Sequence, residues 1–70
     1  MVFMRVKYIG DYYKVSLIKG KEYEVVAREP KHGLLAIVDE TGEEYCFFPQ
    51  FFEVVDDSPT IEEAQGKKIL

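Results

Sequence analysis

The stretch Tyr45-Cys46-Phe47-Phe48-Pro49-Gln50-Phe51-Phe52-Glu53-Val54-Val55 decides the fold. It holds four of the five phenylalanines, one proline near its centre and a β-branched pair at its end. Pro49 has no backbone donor, so the run cannot be one central strand. It reads as the end of one strand, a turn of 3₁₀ helix over Pro49-Gln50-Phe51-Phe52, and a short closing strand Glu53-Val54-Val55. Alternation puts Tyr45 and Phe47 on one face and Cys46 and Phe48 on the other. A domain this small cannot bury both sets deeply, so one face stays partly exposed.

Working upstream, Glu43 to Phe48 runs back antiparallel to Leu34-Leu35-Ala36-Ile37-Val38, an apolar run of strand length. The two are joined by Asp39-Glu40-Thr41-Gly42, a polar turn with glycine in its last place. Pro30-Lys31-His32-Gly33 breaks the preceding strand, Glu22 to Glu29, which turns Tyr23, Val25 and Ala27 one way and Glu22, Glu24, Val26 and Arg28 the other. Lys19-Gly20-Lys21 is a turn in which Gly20 takes a positive φ. The first strand, Val2 to Ile9, sets Val2, Met4, Val6 and Tyr8 against Phe3, Arg5, Lys7 and Ile9. Gly10-Asp11 ends it, and an irregular loop from Tyr12 leads to the short apolar Val15-Ser16-Leu17-Ile18. Five short antiparallel strands with tight connections predict an all-β fold, a small closed barrel.

Downstream, residues 1–56 form the domain and residues 57–70 a tail. Ser58 as N-cap and Pro59 at the first helical position would start a short helix, Thr60 to Gln65, stopped by Gly66. That helix is too short to stand alone. It either docks through Ile61 and Ala64 or leaves the tail loose.

The chain has 70 residues, ten of them Tyr or Phe, and no Trp. A domain of this size buries only about 60% of the surface its unfolded chain exposes, so the aromatic rings must supply a dense core. Cys46 is alone, has no disulfide partner, and reads as a small buried hydrophobe in a reducing compartment. The N-terminal segment is too charged for a signal peptide, and no apolar run reaches the roughly 20 residues of a membrane span. The expectation is a soluble cytoplasmic protein. Net charge is −4, with +3 in residues 1–33 and −7 in residues 34–70. The total argues against bulk binding to a phosphate backbone.

No nucleophile–base pair, metal-ligand spacing or phosphate loop is present, so no enzyme and no cofactor or metal is expected. His32 stands in a turn without a local acid or nucleophile partner. Asp39-Glu40 and Glu43-Glu44 lack the ligand ladder of a calcium loop and read as solvated hairpin charges. Tyr12, Tyr13, Phe48, Pro49 and Phe52 are the candidate partner-binding set, an apolar groove with wet tips; the alternative for Phe48 and Phe52 is the core. Exposed rings and strand edges also suit a homodimer. A second functional reading stacks nucleic-acid bases on Tyr8, Tyr12 and Tyr13 in a basic face of Arg5, Lys7, Lys14, Lys19 and Lys21.

Three places resemble an SH3-like barrel. Leu17-Ile18-Lys19-Gly20-Lys21-Glu22 followed by Tyr23-Glu24-Val25-Val26 resembles the diverging turn and second strand of that family. Thr41-Gly42 sits where the distal region leads into the fourth strand. Phe48-Pro49-Gln50-Phe51-Phe52 is similar to the apolar-Pro-Ser-Asn-Tyr element that forms the 3₁₀ turn before the last strand. The likeness covers roughly residues 4–55, and the whole chain is similar to small bacterial and prophage SH3-like proteins. It implies a five-stranded barrel and no established activity; the function expected is a small protein-binding module or a modulator of a partner in a bacterial or phage setting. The loop from Tyr12 to Leu17 is shorter than in peptide-binding members, and Leu34 stands at the place of their tryptophan. Recognition of proline-rich helices is therefore not carried over.

Overall fold

The structure is a computed structural model that describes residues 2–66. It is all-β with little helix. Strands β1 (Arg5–Tyr8), β2 (Glu22–Glu24), β3 (Ala27–Arg28), β4 (Leu35–Val38), β5 (Glu44–Phe47) and β6 (Phe52–Asp56) are joined by one 3₁₀ turn, Pro49–Phe51, and followed by helix α1 (Ile61–Ala64). They make two antiparallel three-stranded sheets, ordered β2-β1-β6 and β3-β4-β5.

This corrects the expected strand count and the closed ladder. Among the described residues there are six strands, and their hydrogen bonds form two sheets without closing a ring. The difference arises inside Glu22–Glu29. The Val25 N–H donates to the Met4 carbonyl, just ahead of β1, while the next N–H, that of Val26, donates to Ala36 of β4. The chain changes sheets between two consecutive residues, and the ladder breaks there. The Val25 and Val26 carbonyls freed by the switch accept from the N–H groups of Ile61 and Glu62.

The segment before α1 therefore lies against the sheets and is not loose. The Met4 N–H donates to the Pro59 carbonyl, and Thr60 is fully buried. Thr60, not Ser58, is the N-cap: its hydroxyl accepts from the Glu63 N–H while the Glu63 carboxylate accepts from the Thr60 N–H. This reciprocal pair satisfies two orphan donors of the first turn. Ser58 instead donates through its N–H and hydroxyl to Asp56. The helix is shorter than expected, and the expected dock through Ala64 is absent because that residue is exposed. The remainder of the expected tail, residues 67–70, lies outside the described residues.

Alternation decides the core. Val6 and Tyr8 of β1, Tyr23 and Val25, Leu35 and Ile37 of β4, Phe47 and Phe52 are all buried, joined by Met4 and Leu17. On the outer face of the first sheet, register places Arg5 between Glu24 and Asp56, and Lys7 between Glu22 and Glu53. Arg5 reaches Glu24 at 3.3 Å and Glu22 at 3.9 Å. The two halves of the chain meet in the ion pairs Lys21–Glu40 and Arg28–Glu63, while Arg5 pairs with glutamates of its own half. Cys46 is exposed, opposite Ala36 on β4. The expectation of a buried thiol fails because β5 is an edge strand.

Candidate binding surface

The loop after β1 and the 3₁₀ turn meet at one corner, and backbone bonds fix them there. The Ile9 N–H donates to the Phe51 carbonyl at 2.9 Å. The hydroxyl of the buried Tyr8 accepts from the Tyr13 N–H at 2.6 Å. The Tyr13 carbonyl in turn accepts from the N–H groups of Ser16 and Leu17, which closes the loop into a compact turn.

From the other side the loop is held by Tyr23. Its hydroxyl accepts from the Ile18 N–H at 2.9 Å and donates to Glu40 at 2.7 Å, and Glu40 also accepts from the Lys21 ammonium at 2.6 Å. Burial, and then the Glu40 carboxylate beside it, push the Tyr23 phenol up to about 12; the Ile18 N–H acts in the opposite sense. The unfolded value is about 10. A raised folded pKa means that this group's stabilisation is whole below about pH 10 and is lost as pH rises through about 12. Absorbance titration should show one of the five tyrosines ionising at about pH 12, with thermal stability declining over the same interval. A Tyr23 phenol ionising near pH 10 would contradict this network.

The rings themselves form a ledge. Tyr13 is its hub, standing edge-on to Phe47 at 4.8 Å, to Tyr12 at 5.0 Å and to Phe51 at 5.6 Å. Tyr12 lies parallel to Phe51 at 5.4 Å. The Tyr13 hydroxyl accepts from the Phe48 N–H at 3.3 Å, which ties the start of the 3₁₀ turn to the loop. Tyr12 is 71% exposed and Phe48 49% exposed, and Pro49 is exposed as well. Offset and edge-to-face pairs of this kind fix rings in place beyond what area burial gives.

Four of the five expected partner-binding residues, Tyr12, Tyr13, Phe48 and Pro49, border this corner. Phe52 does not belong to it. It is 9% exposed, stands opposite Tyr8 in the β1–β6 register, and packs on Tyr8 at 5.5 Å and Phe47 at 6.2 Å. It is a core ring, the alternative weighed for it from the sequence. Phe51 takes its place on the ledge. The one local signal for this is Gly10: a Cβ there would stand 2.8 Å from the Phe51 ring, so the ring lies flat on bare backbone.

The basic candidates are dispersed. Arg5 pairs with Glu22 and Glu24, Lys19 with Asp11, and Lys21 with Glu40. Lys7 lies between two glutamates in register. Among the described residues, no group of three His, Cys, Asp or Glu side chains is placed to hold a metal ion. His32 is exposed beside Glu29, at 3.4 Å. The Glu29 carboxylate accepts from the N–H groups of His32 and Lys31, and chiefly the former holds its pKa below the ordinary range. Among the described residues no helix is long and apolar enough to cross a membrane. No protein-family model matches the chain, and no curated protein or solved structure shows significant similarity to it.

Proposed function

We propose that the chain is a non-catalytic, SH3-like binding module whose aromatic ledge receives a partner protein. The observation that carries this reading is the exposure of Tyr12 on a fixed set of rings, with the exposed Phe48 tied to the same corner through its backbone N–H. Rigid, exposed aromatics lose little conformational freedom on binding and are the residue types that dominate protein interfaces. The SH3-like assignment is supported by the consecutive strands β2 and β3, one in each sheet with the switch at Val25–Val26, and by a 3₁₀ turn placed before the last strand. The family likeness points to a bacterial or phage setting. The nucleic-acid reading is the weaker one, since carboxylates pair with or flank four of its five cations.

The test uses the double variant Tyr12→Ala, Phe48→Ala. Both side chains are largely solvent-exposed, so the melting temperature should move by only a few degrees. A partner captured by the wild-type chain from its native extract should bind the double variant about 100-fold or more weakly, because each interfacial aromatic contributes about 2 kcal/mol. Undiminished binding by a correctly folded double variant would remove the ledge from consideration. Sedimentation of the two proteins distinguishes self-association, in which the partner is a second copy.

A further inference from the structure

Strand β5 is the outer strand of its sheet, paired with β4 on one side only. Among the described residues no backbone group from Glu44 to Phe47 bonds to anything beyond β4. Register puts Tyr45 opposite Ile37, which is wholly buried, so Tyr45 occupies a core-facing position; it is nevertheless 51% exposed. Glu44 is opposite Val38 on the outer face, exposed, and in no ion pair among the described residues. From residue 43 to residue 57 the chain has five acidic residues and no lysine or arginine. Of the other outer strands, β6 is the longest and is a poorer template. A bulge interrupts its register, Glu53 stands opposite Lys7, and Asp56 is bonded to Ser58.

We propose that β5 accepts an extended segment of a partner protein as an added strand. The segment carries lysine or arginine on the outer face, against Glu44, alternating with apolar side chains on the inner face, against Tyr45. Main-chain bonds to an open edge supply affinity in such pairings, and alternate side chains supply the choice of partner. Opposite charges and aromatic–aliphatic pairs across neighbouring strands stabilise them. A second copy of this chain is the wrong occupant, since it would bring its own acidic segment to the same edge. The site does not use the exposed ledge rings, so the two readings stand or fall separately.

The probe is acetyl-Lys-Val-Lys-Val-Lys-amide, titrated into the isotope-labelled full chain and followed by amide NMR. Shifts centred on residues 44–47 are expected, with slowed hydrogen exchange there and affinity about tenfold weaker at high salt than at low salt. The same peptide N-methylated at all five backbone nitrogens should bind about tenfold more weakly, because in either strand direction it has lost its donors. Replacing its lysines by glutamates should abolish binding, and Glu44→Lys in the protein should reverse that preference. The variant Tyr12→Ala, Phe48→Ala should bind the lysine peptide as the wild type does. Shifts centred on β6 or on the ledge, an N-methylated peptide that binds equally well, loss of peptide binding in the ledge variant, or no shift at about millimolar peptide would each overturn the proposal.

Discussion

Phe52→Ala is expected to remove most of the stability of this domain. The ring is packed on Tyr8 and Phe47 and is nearly sealed from solvent. Truncating a buried phenylalanine costs about 3–5 kcal/mol, a transfer loss plus the cavity left behind. A natural domain holds roughly 0.05–0.15 kcal/mol per residue, which is about 4–10 kcal/mol for 70 residues. Urea denaturation should therefore show either a midpoint lowered by half or a chain already unfolded in buffer. Phe48→Ala, four positions earlier, removes an exposed ring of the same size and should cost about 1 kcal/mol or less. Equal losses from the two substitutions would mean that the assignment of one ring to the core and the other to the surface is wrong.

The second large effect is expected from Gly10→Val. Gly10 needs no unusual backbone conformation, since its φ is not positive. The effect is purely steric. A Cβ would come within 2.8 Å of Phe51 Cδ1 and 3.0 Å of Phe51 Cβ. Rotating the ring relieves the first contact but not the second, because Phe51 Cβ moves only with the backbone. That backbone is held by the Ile9 N–H bond to the Phe51 carbonyl. Overpacking of this kind costs about 1–3 kcal/mol. It also displaces Phe51 from beneath Tyr12, so the near-ultraviolet circular dichroism of the aromatic cluster should change along with the melting temperature. A variant with wild-type stability and an unchanged aromatic spectrum would show that the close approach of Phe51 to Gly10 is not needed.

Much of this architecture is written locally. The alternation of Met4, Val6 and Tyr8 with Arg5 and Lys7 gives β1 its buried and solvated faces. Gly42, at φ 85°, ends the hairpin turn between β4 and β5, and Pro49 opens the 3₁₀ turn. What was not legible depends on neighbours distant in sequence. Glu22–Glu29 keeps one unbroken alternation, and period alone cannot report that Val25 and Val26 bond to different sheets. Choosing between Phe51 and Phe52 for the surface requires the β1–β6 register, which puts Phe52 opposite the inward Tyr8. Cys46 was misplaced for a related reason: its aromatic neighbours in sequence are not its neighbours across the sheet. The helix start is different. Thr60-Ile61-Glu62-Glu63 carries the capping-box spacing in plain view, and Ser58-Pro59 masked it by offering an equally conventional start two residues earlier.

The two sheets differ in how far the chain must travel to make them. The β3-β4-β5 sheet joins strands that follow one another through short turns, whereas β1 pairs with β6 across most of the chain. Long-range pairings carry the larger loop-closure entropy and are the slower part of such folds. The ledge takes Tyr12 and Tyr13 from the loop after β1, and Phe51 from the turn before β6. Neither half of the ledge has a ring surface of its own until the late pairing is made. A ligand of the ledge would discriminate between a finished chain and an unfinished one, because a chain with only the β4–β5 hairpin formed would have no ledge to offer.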